Sequence, residues 1–151
     1  MLYARLEPDK RVMPHDPNCI FCKIVAGQIP AAKVLETPLA LSFLDIGPVA
    51  PGHTLLVPKE HFPTLPDTPP DVASALAAEL PRLARAVLAA TGAPALNVVL
   101  NNGREAGQVV DHVHFHLVPR SPGDTFRVHW PRGKYQTDAM EQMRIRIASG
   151  L

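Results

Sequence analysis

The stretch His112-Val113-His114-Phe115-His116-Leu117 decides how this chain is read. Successive side chains of an extended strand point to opposite faces. His112, His114 and His116 are therefore expected on one face, about 6.6 Å apart at ~3.3 Å per residue. Val113, Phe115 and Leu117 are expected to turn into the core. A lone histidine such as His15 or His129 is ordinary, but three in alternation are hard to explain by packing. Imidazole titrates near neutral pH and serves as acid, base, nucleophile or metal ligand. The alternation alone does not choose among these, since metal-dependent hydrolases also place two histidines at this spacing.

Working outward, Val109 to Pro119 reads as one strand, preceded by a loop from Asn101-Asn102-Gly103 to Gly107. Leu96 to Leu100 is the strand before that loop. Upstream lies the clearest helix, Asp71 to Ala90, with Leu76, Leu80, Leu83 and Val87 on one face. Thr68 and Asp71 have capping-box spacing, Pro69 suits the first helical position, and Thr91-Gly92 ahead of Pro94 ends the helix. Pro81 falls inside, but the apolar stripe stays in phase across it, so a kink is expected rather than a break. Ala32 to Glu36, Leu39 to Ile46 and His53 to Pro58 read as strands, the last two paired antiparallel through Gly47-Pro48 and Pro51-Gly52. Cys19 to Ala26 suits a short helix closed by Gly27, and Ala139 to Ala148 a short terminal one with Met140, Met143 and Ile147 on one side.

The 151 residues suit one domain, and 46% apolar against 19% charged residues suits a globular chain. A net charge of +1 gives no electrostatic footprint for duplex nucleic acid, although a local nucleotide pocket remains compatible with it. No apolar run approaches the ~18 residues of a bilayer span. The polar start, broken by Pro8, Pro14 and Pro17, does not read as a targeting peptide, so a soluble cytoplasmic protein is expected. Two cysteines are too few for a disulfide scaffold, and Cys19-x-x-Cys22 alone supplies only two metal ligands. The chain divides into an extended arm over 1–18, a domain over 19–130 and a C-terminal extension over 131–151.

Several blocks taken together carry a resemblance. They are Cys19-Ile20-Phe21-Cys22-Lys23-Ile24, Phe43-Leu44-Asp45-Ile46, Pro51-Gly52-His53-Thr54, Pro58-Lys59-Glu60-His61 and Ala106-Gly107-Gln108 running into the histidine alternation. In order and spacing, from about Asn18 to Trp130, they resemble the histidine triad (HIT) family, and Pro119 to Phe126 resembles its bacterial branch. The resemblance implies an α+β fold with an antiparallel sheet of about five strands, one main helix and a short C-terminal helix. It also implies a homodimer.

Members of that family are nucleotide hydrolases and transferases acting at an α-phosphorus through a nucleotidyl-histidine intermediate. The resemblance makes His114 the nucleophile and places His116 and His53 beside the phosphate. Asn101, Gly107 and Gln108 match positions lining the phosphate site, where Gly103 and Gly107 allow close backbone approach. Asp45 matches the acid that accepts from ribose hydroxyls. Ile20, Phe21, Ile24 and Leu44 match the apolar wall of the base pocket. Cys19, Cys22, His61 and His112 match the ligands of a structural zinc ion found in many bacterial members. A purine nucleoside phosphoramidase releasing AMP is expected from a phosphoramidate or nucleotide substrate. The alternatives are a dinucleoside polyphosphate hydrolase or nucleotidyl transferase, and a nucleotide-binding regulatory protein with little turnover. Metal held by His114 and His116 themselves is a further alternative. One departure bears on the leaving group: Val109 stands where the family usually carries serine or threonine after the glutamine.

Overall fold

The computed structural model describes residues 15–127 and 131–151. Most of the arm expected over 1–18, together with His129 and Trp130, lies outside the described residues. The elements run α1 (Ile20–Val25), β1 (Lys33–Glu36), β2 (Ala40–Leu44), β3 (Thr54–Pro58), α2 (Pro70–Thr91), β4 (Ala95–Leu100), β5 (Phe115–Arg120) and α3 (Ala139–Ala148). The strands form one antiparallel sheet of order β1-β2-β3-β5-β4. This is the α+β architecture expected, with five strands, one long helix and a short terminal one.

Two apolar layers sandwich the middle of the sheet. On one face, Leu76 and Leu83 of α2 pack with Ala40, Leu56 and Leu117, and Phe115 and Leu80 close around them. On the other, Phe21 and Ile24 of α1 pack with Leu41, Phe43, Leu55 and Val57. Residues 40–43 and 54–58 are therefore buried on both faces, which is why β2 and β3 read as continuous apolar runs. Ser42, buried among them, donates its hydroxyl to Leu55 O at 2.8 Å. α2 runs unbroken past Pro81 and ends where Gly92 takes φ 68° and its N–H returns to Leu88 O.

Three expectations are corrected. The helix N-cap is Pro69, with Pro70 in the first turn, and the capping box forms one turn earlier. There Thr64 N and Oγ1 both donate to Asp67 Oδ2, opening a 3-10 turn over Leu65–Asp67. Thr68 instead donates its hydroxyl to Thr64 O. A second unforeseen 3-10 turn spans Arg104–Ala106. Most consequentially, the last strand begins at Phe115, not Val109. The backbone before it is held by other partners: His112 N donates to Val110 O at 2.8 Å, and Val113 N to Phe62 O at 2.7 Å. His112 and His114 thus precede the strand, and His116 lies within it.

The turn between β2 and β3 depends on Gly52. Its φ is 90°, and a Cβ there would collide with Thr91 at the end of α2. Only glycine lets this turn press against the helix end, and the next residue is His53.

Candidate active site and metal cluster

The three triad histidines lie on the α1 side of the sheet but face different partners. His116 sits opposite Leu55 in β5, and its ring centroid is 4.7 Å from that of His114. The ring of Phe21 meets His114 edge-on at 5.1 Å and His112 at 5.8 Å. The expectation of a shared side therefore holds, although the strand that motivated it starts later.

Hydrogen-bond partners assign the proton on each ring. The N–H of Val49 donates to His53 Nδ1 at 3.2 Å, so that nitrogen carries a lone pair and His53 is protonated at Nε2. His53 Nε2–H then donates to His116 Nδ1 at 2.9 Å, which places the His116 proton on Nε2. His114 is arranged the opposite way: Nδ1–H donates to His112 O at 2.6 Å, leaving Nε2 with an unused lone pair. Burial holds His53, His114 and His116 below the ordinary histidine range, His116 down to about 4. All three are neutral at pH 7. The site presents one nucleophilic nitrogen beside one N–H donor.

Asp45 opens the β2–β3 turn. Its Oδ1 accepts from Gly47 N at 2.8 Å, and Oδ2 stands 3.6 Å from His53 Nδ1. Asp45, His53 and His116 bring donor atoms within 4.8 Å of one another. Both His53 nitrogens are already engaged, however, so His53 and His116 form a hydrogen-bonded pair with Asp45 beside it rather than a metal cage.

The expected base-pocket wall divides. Phe21 and Ile24 are buried in the α1-side core, whereas Ile20 is 47% and Leu44 44% exposed and free to meet a ligand. Gln108 is buried and both its amide donors are used: Oε1 accepts from Gly103 N, and Nε2 donates to Pro63 O and Val110 O. It shapes the loop beside the triad. Asn101 lies half-buried against Gly107, whose φ is 90°. Val109 is 91% exposed. Two contributors had no signal in the sequence. Val49 acts through its backbone N–H, and Asn102 accepts from Leu65 N at 2.8 Å.

Beside the triad, Cys19, Cys22, His61 and His112 bring four donor atoms within 4.8 Å of one another. Cys19 and Cys22 lie at the start of α1, while His61 follows β3. Cys19 Sγ is 3.5 Å and Cys22 Sγ 3.7 Å from His112 Nδ1, and Cys22 Sγ is 3.4 Å from His61 Nδ1. Zinc bonds of ~2.3 Å to sulfur and ~2.0–2.1 Å to nitrogen in a tetrahedron require S···N separations of about 3.6 Å. The donor set fits zinc in both chemistry and spacing. His112 Nε2–H donates to Pro58 O at 3.0 Å, turning the lone pair of Nδ1 toward the sulfurs. Burial keeps His112 neutral, with its pKa down to about 4, and pushes the Cys22 thiol up to about 11. A thiolate there needs a compensating cation.

Comparison with known proteins agrees with this geometry. The HIT domain family model matches residues 26–123. An adenylylsulfatase, HINT3 of Arabidopsis thaliana, is 43% identical over 107 residues, 71% of this chain, although the chain spans only 54% of that protein's length. The adenosine 5'-monophosphoramidase hnt1 of Schizosaccharomyces pombe is 40% identical over 134 residues, 87% of this chain and 97% of that protein. Among solved structures, a HIT family member from Bacillus subtilis superposes with TM-score 0.84 at 39% identity, covering 89% of this chain and 97% of that one. A Zn-bound histidine triad family protein from Mycobacterium smegmatis does so with TM-score 0.68 at 38% identity, covering 87% and 94%. With the histidine alternation, the sheet order and the family model in agreement, the chain belongs to the HIT domain family.

Proposed function

We propose that the protein is a purine nucleoside phosphoramidase, with His114 Nε2 as the nucleophile at the α-phosphorus. The observation that carries this reading is the free lone pair on His114, aimed by the Nδ1–H bond to His112 O. Attack forms a P–N bond to Nε2 and breaks the P–N bond to the leaving amine, whose nitrogen takes up a solvent proton as it departs; hydrolysis of the intermediate returns one to solvent. The His112 carbonyl then faces the positive imidazolium it helped to orient. Water hydrolyses the nucleotidyl-histidine, releases AMP and restores the neutral ring, so that one hard displacement becomes two easier ones. His116 Nε2–H donates to a phosphoryl oxygen, backed by His53 and Val49 N–H. Asp45 accepts from the ribose hydroxyls, while Ile20 and Leu44 cover the base.

In the same reading Cys19, Cys22, His61 and His112 hold a structural zinc ion. All four coordination positions come from the protein, so zinc supplies a crosslink and takes no part in the reaction. A homodimer through β4 is supported by that strand's place at the sheet edge, where Val98 is 44% exposed and one row of backbone groups lacks a neighbouring strand. Among the described residues no helix is long and apolar enough to cross a membrane. A reducing compartment such as the cytoplasm suits the two unpaired thiols.

The test is AMP release from adenosine 5'-phosphoramidate, adenylylsulfate and a diadenosine polyphosphate. Release is expected to be fastest from the phosphoramidate. Faster release from the polyphosphate would move the assignment to the larger leaving group. Nucleotide binding without release from any of the three would overturn the enzymatic reading in favour of a regulatory binder, the alternative that Val109 in place of a hydroxyl supports.

The pH dependence follows from the buried rings. Their pKa values are lowered, so the neutral forms persist below pH 6.5 and are lost only as pH falls further. Protonating His116 removes the Nδ1 acceptor that receives His53 Nε2–H. The acid limb of kcat/KM is expected to have its midpoint below 6.5, in the interval down to about 4. A midpoint at or above 6.5 in a pH-rate profile refutes the buried neutral arrangement.

A further inference from the structure

We propose that the Cys19, Cys22, His61 and His112 cluster is a positioning device for the nucleophile: metal held there fixes the His112 carbonyl, and through it the ring of His114. This builds on the two readings above, that His114 attacks and that the cluster takes zinc. His112 belongs to both sites. Its Nδ1 faces the two sulfurs, while its main-chain oxygen receives His114 Nδ1–H at 2.6 Å. Residue 112 precedes β5, so no ladder of sheet hydrogen bonds holds that carbonyl in place.

What holds it is a clasp built from three segments. His61 lies ring-to-ring with His112 at 5.1 Å, and its neighbour Phe62 accepts from Val113 N at 2.7 Å. Residues 61–62 therefore grip 112–113 through both side chain and backbone. From α1, Phe21 sits between the two cysteines in sequence and meets the rings of His112 and His114. Four metal bonds would lock these segments together. Without them, neutral thiols leave only weak sulfur hydrogen bonds around His112 Nδ1. Loosening at the carbonyl lets His114 sample the other tautomer and misplaces Nε2, and a misplacement near 1 Å can cost about 10²-fold in rate. Phe21 and Ile24, by contrast, also pack against Leu41, Phe43, Leu55 and Val57, so nucleotide affinity is expected to hold.

The experiment compares the zinc-loaded protein with the same protein after chelation. Single-turnover formation of nucleotidyl-histidine is expected to slow at least tenfold, with the nucleotide dissociation constant changing less than twofold. Nitrogen-15 NMR of the His114 ring should change from one Nδ1–H tautomer to a mixture. His61→Asn should reproduce both effects, while His61→Cys, which restores four zinc ligands, should rescue them. Stoichiometric zinc whose removal leaves rate and tautomer unchanged would overturn the coupling and leave the zinc reading intact. No zinc uptake by the reduced protein would overturn both. A tautomer that shifts with metal in a protein forming no nucleotidyl-histidine would overturn the nucleophile reading and support the coupling.

Discussion

His114→Ala should lower AMP release by up to about 10⁶-fold, the loss on removing the covalent nucleophile of a serine hydrolase, and leave nucleotide affinity within a few-fold. The size of the effect follows from the absence of a substitute. His116 is the nearest imidazole, with its ring centroid 4.7 Å away, but its Nδ1 lone pair already accepts from His53 and its other nitrogen carries the proton. His53 is saturated in the same way, with Nδ1 accepting from Val49 N and Nε2 donating. His112 turns its remaining lone pair toward the two cysteines and donates Nε2–H to Pro58 O. Among the described histidines of the triad and its relay, His114 alone offers an uncommitted lone pair. Removing it deletes the attacking atom, whereas removing His116 deletes a donor to the phosphoryl group and should cost less. Two measurements check this. Wild-type protein quenched in alkaline denaturant, where the acid-labile P–N bond survives, should carry nucleotide on histidine, and the variant should carry none. Thermal unfolding of the variant should show that the fold is retained. A variant rate within tenfold of wild type would mean that another group attacks phosphorus.

How much of this site could be read in the sequence depends on what kind of interaction makes it. Side-chain period and spacing are local properties, so β2, β3, β4 and α2 fall within a residue or two of their expected bounds, and α3 spans its expected residues. The clustering of Cys19, Cys22, His61 and His112 could be anticipated because all four are unusual residue types in recognised blocks. Backbone capture at a distance is invisible to a period. Alternation extended the final strand back to Val109, yet Val113 N is taken by Phe62 O and His112 N by Val110 O, so neither donor is available to a sheet partner. Gln108 reads as a phosphate ligand because it is polar and well placed, but its amide is spent on three backbone groups. The tautomers that distinguish nucleophile from donor hang on a main-chain N–H, that of Val49, which carries no sequence signature. Residue types thus pointed to the chemistry, and bonds to main-chain groups assign each residue its part in it.

Removing the metal, by chelation or by Cys22→Ala, should have the largest effect on stability. The cluster joins α1 to His61 and His61 to His112, across sequence separations of 39 (22 to 61) and 51 (61 to 112) residues. Closing one loop of 40–50 residues removes about 4 kcal/mol of unfolded-chain entropy in the crosslink model, which applies to a metal clip as to a disulfide. Apparent zinc affinities of roughly 10–16 kcal/mol in small zinc-folded peptides set the upper limit. A loss of at least about 4 kcal/mol corresponds to a fall in Tm of about 10 °C or more for a chain of this length. Cavity formation cannot produce such a loss, because Cys22→Ala deletes a single buried sulfur, worth about 1–2 kcal/mol on hydrophobic scales. The two contributions separate in one experiment. Chelator should lower the Tm of the wild type toward that of Cys22→Ala and have little further effect on the variant, and added zinc should restore only the wild type. The cluster is also the one place where burial pushes a thiol up to about 11 in the absence of a cation. Zinc must therefore displace protons to bind, and its stabilisation should weaken as pH falls. An unchanged melting temperature after complete zinc removal, confirmed by metal analysis, would show that the packing of α1 against Leu41, Phe43 and Leu55 is sufficient to hold these segments together.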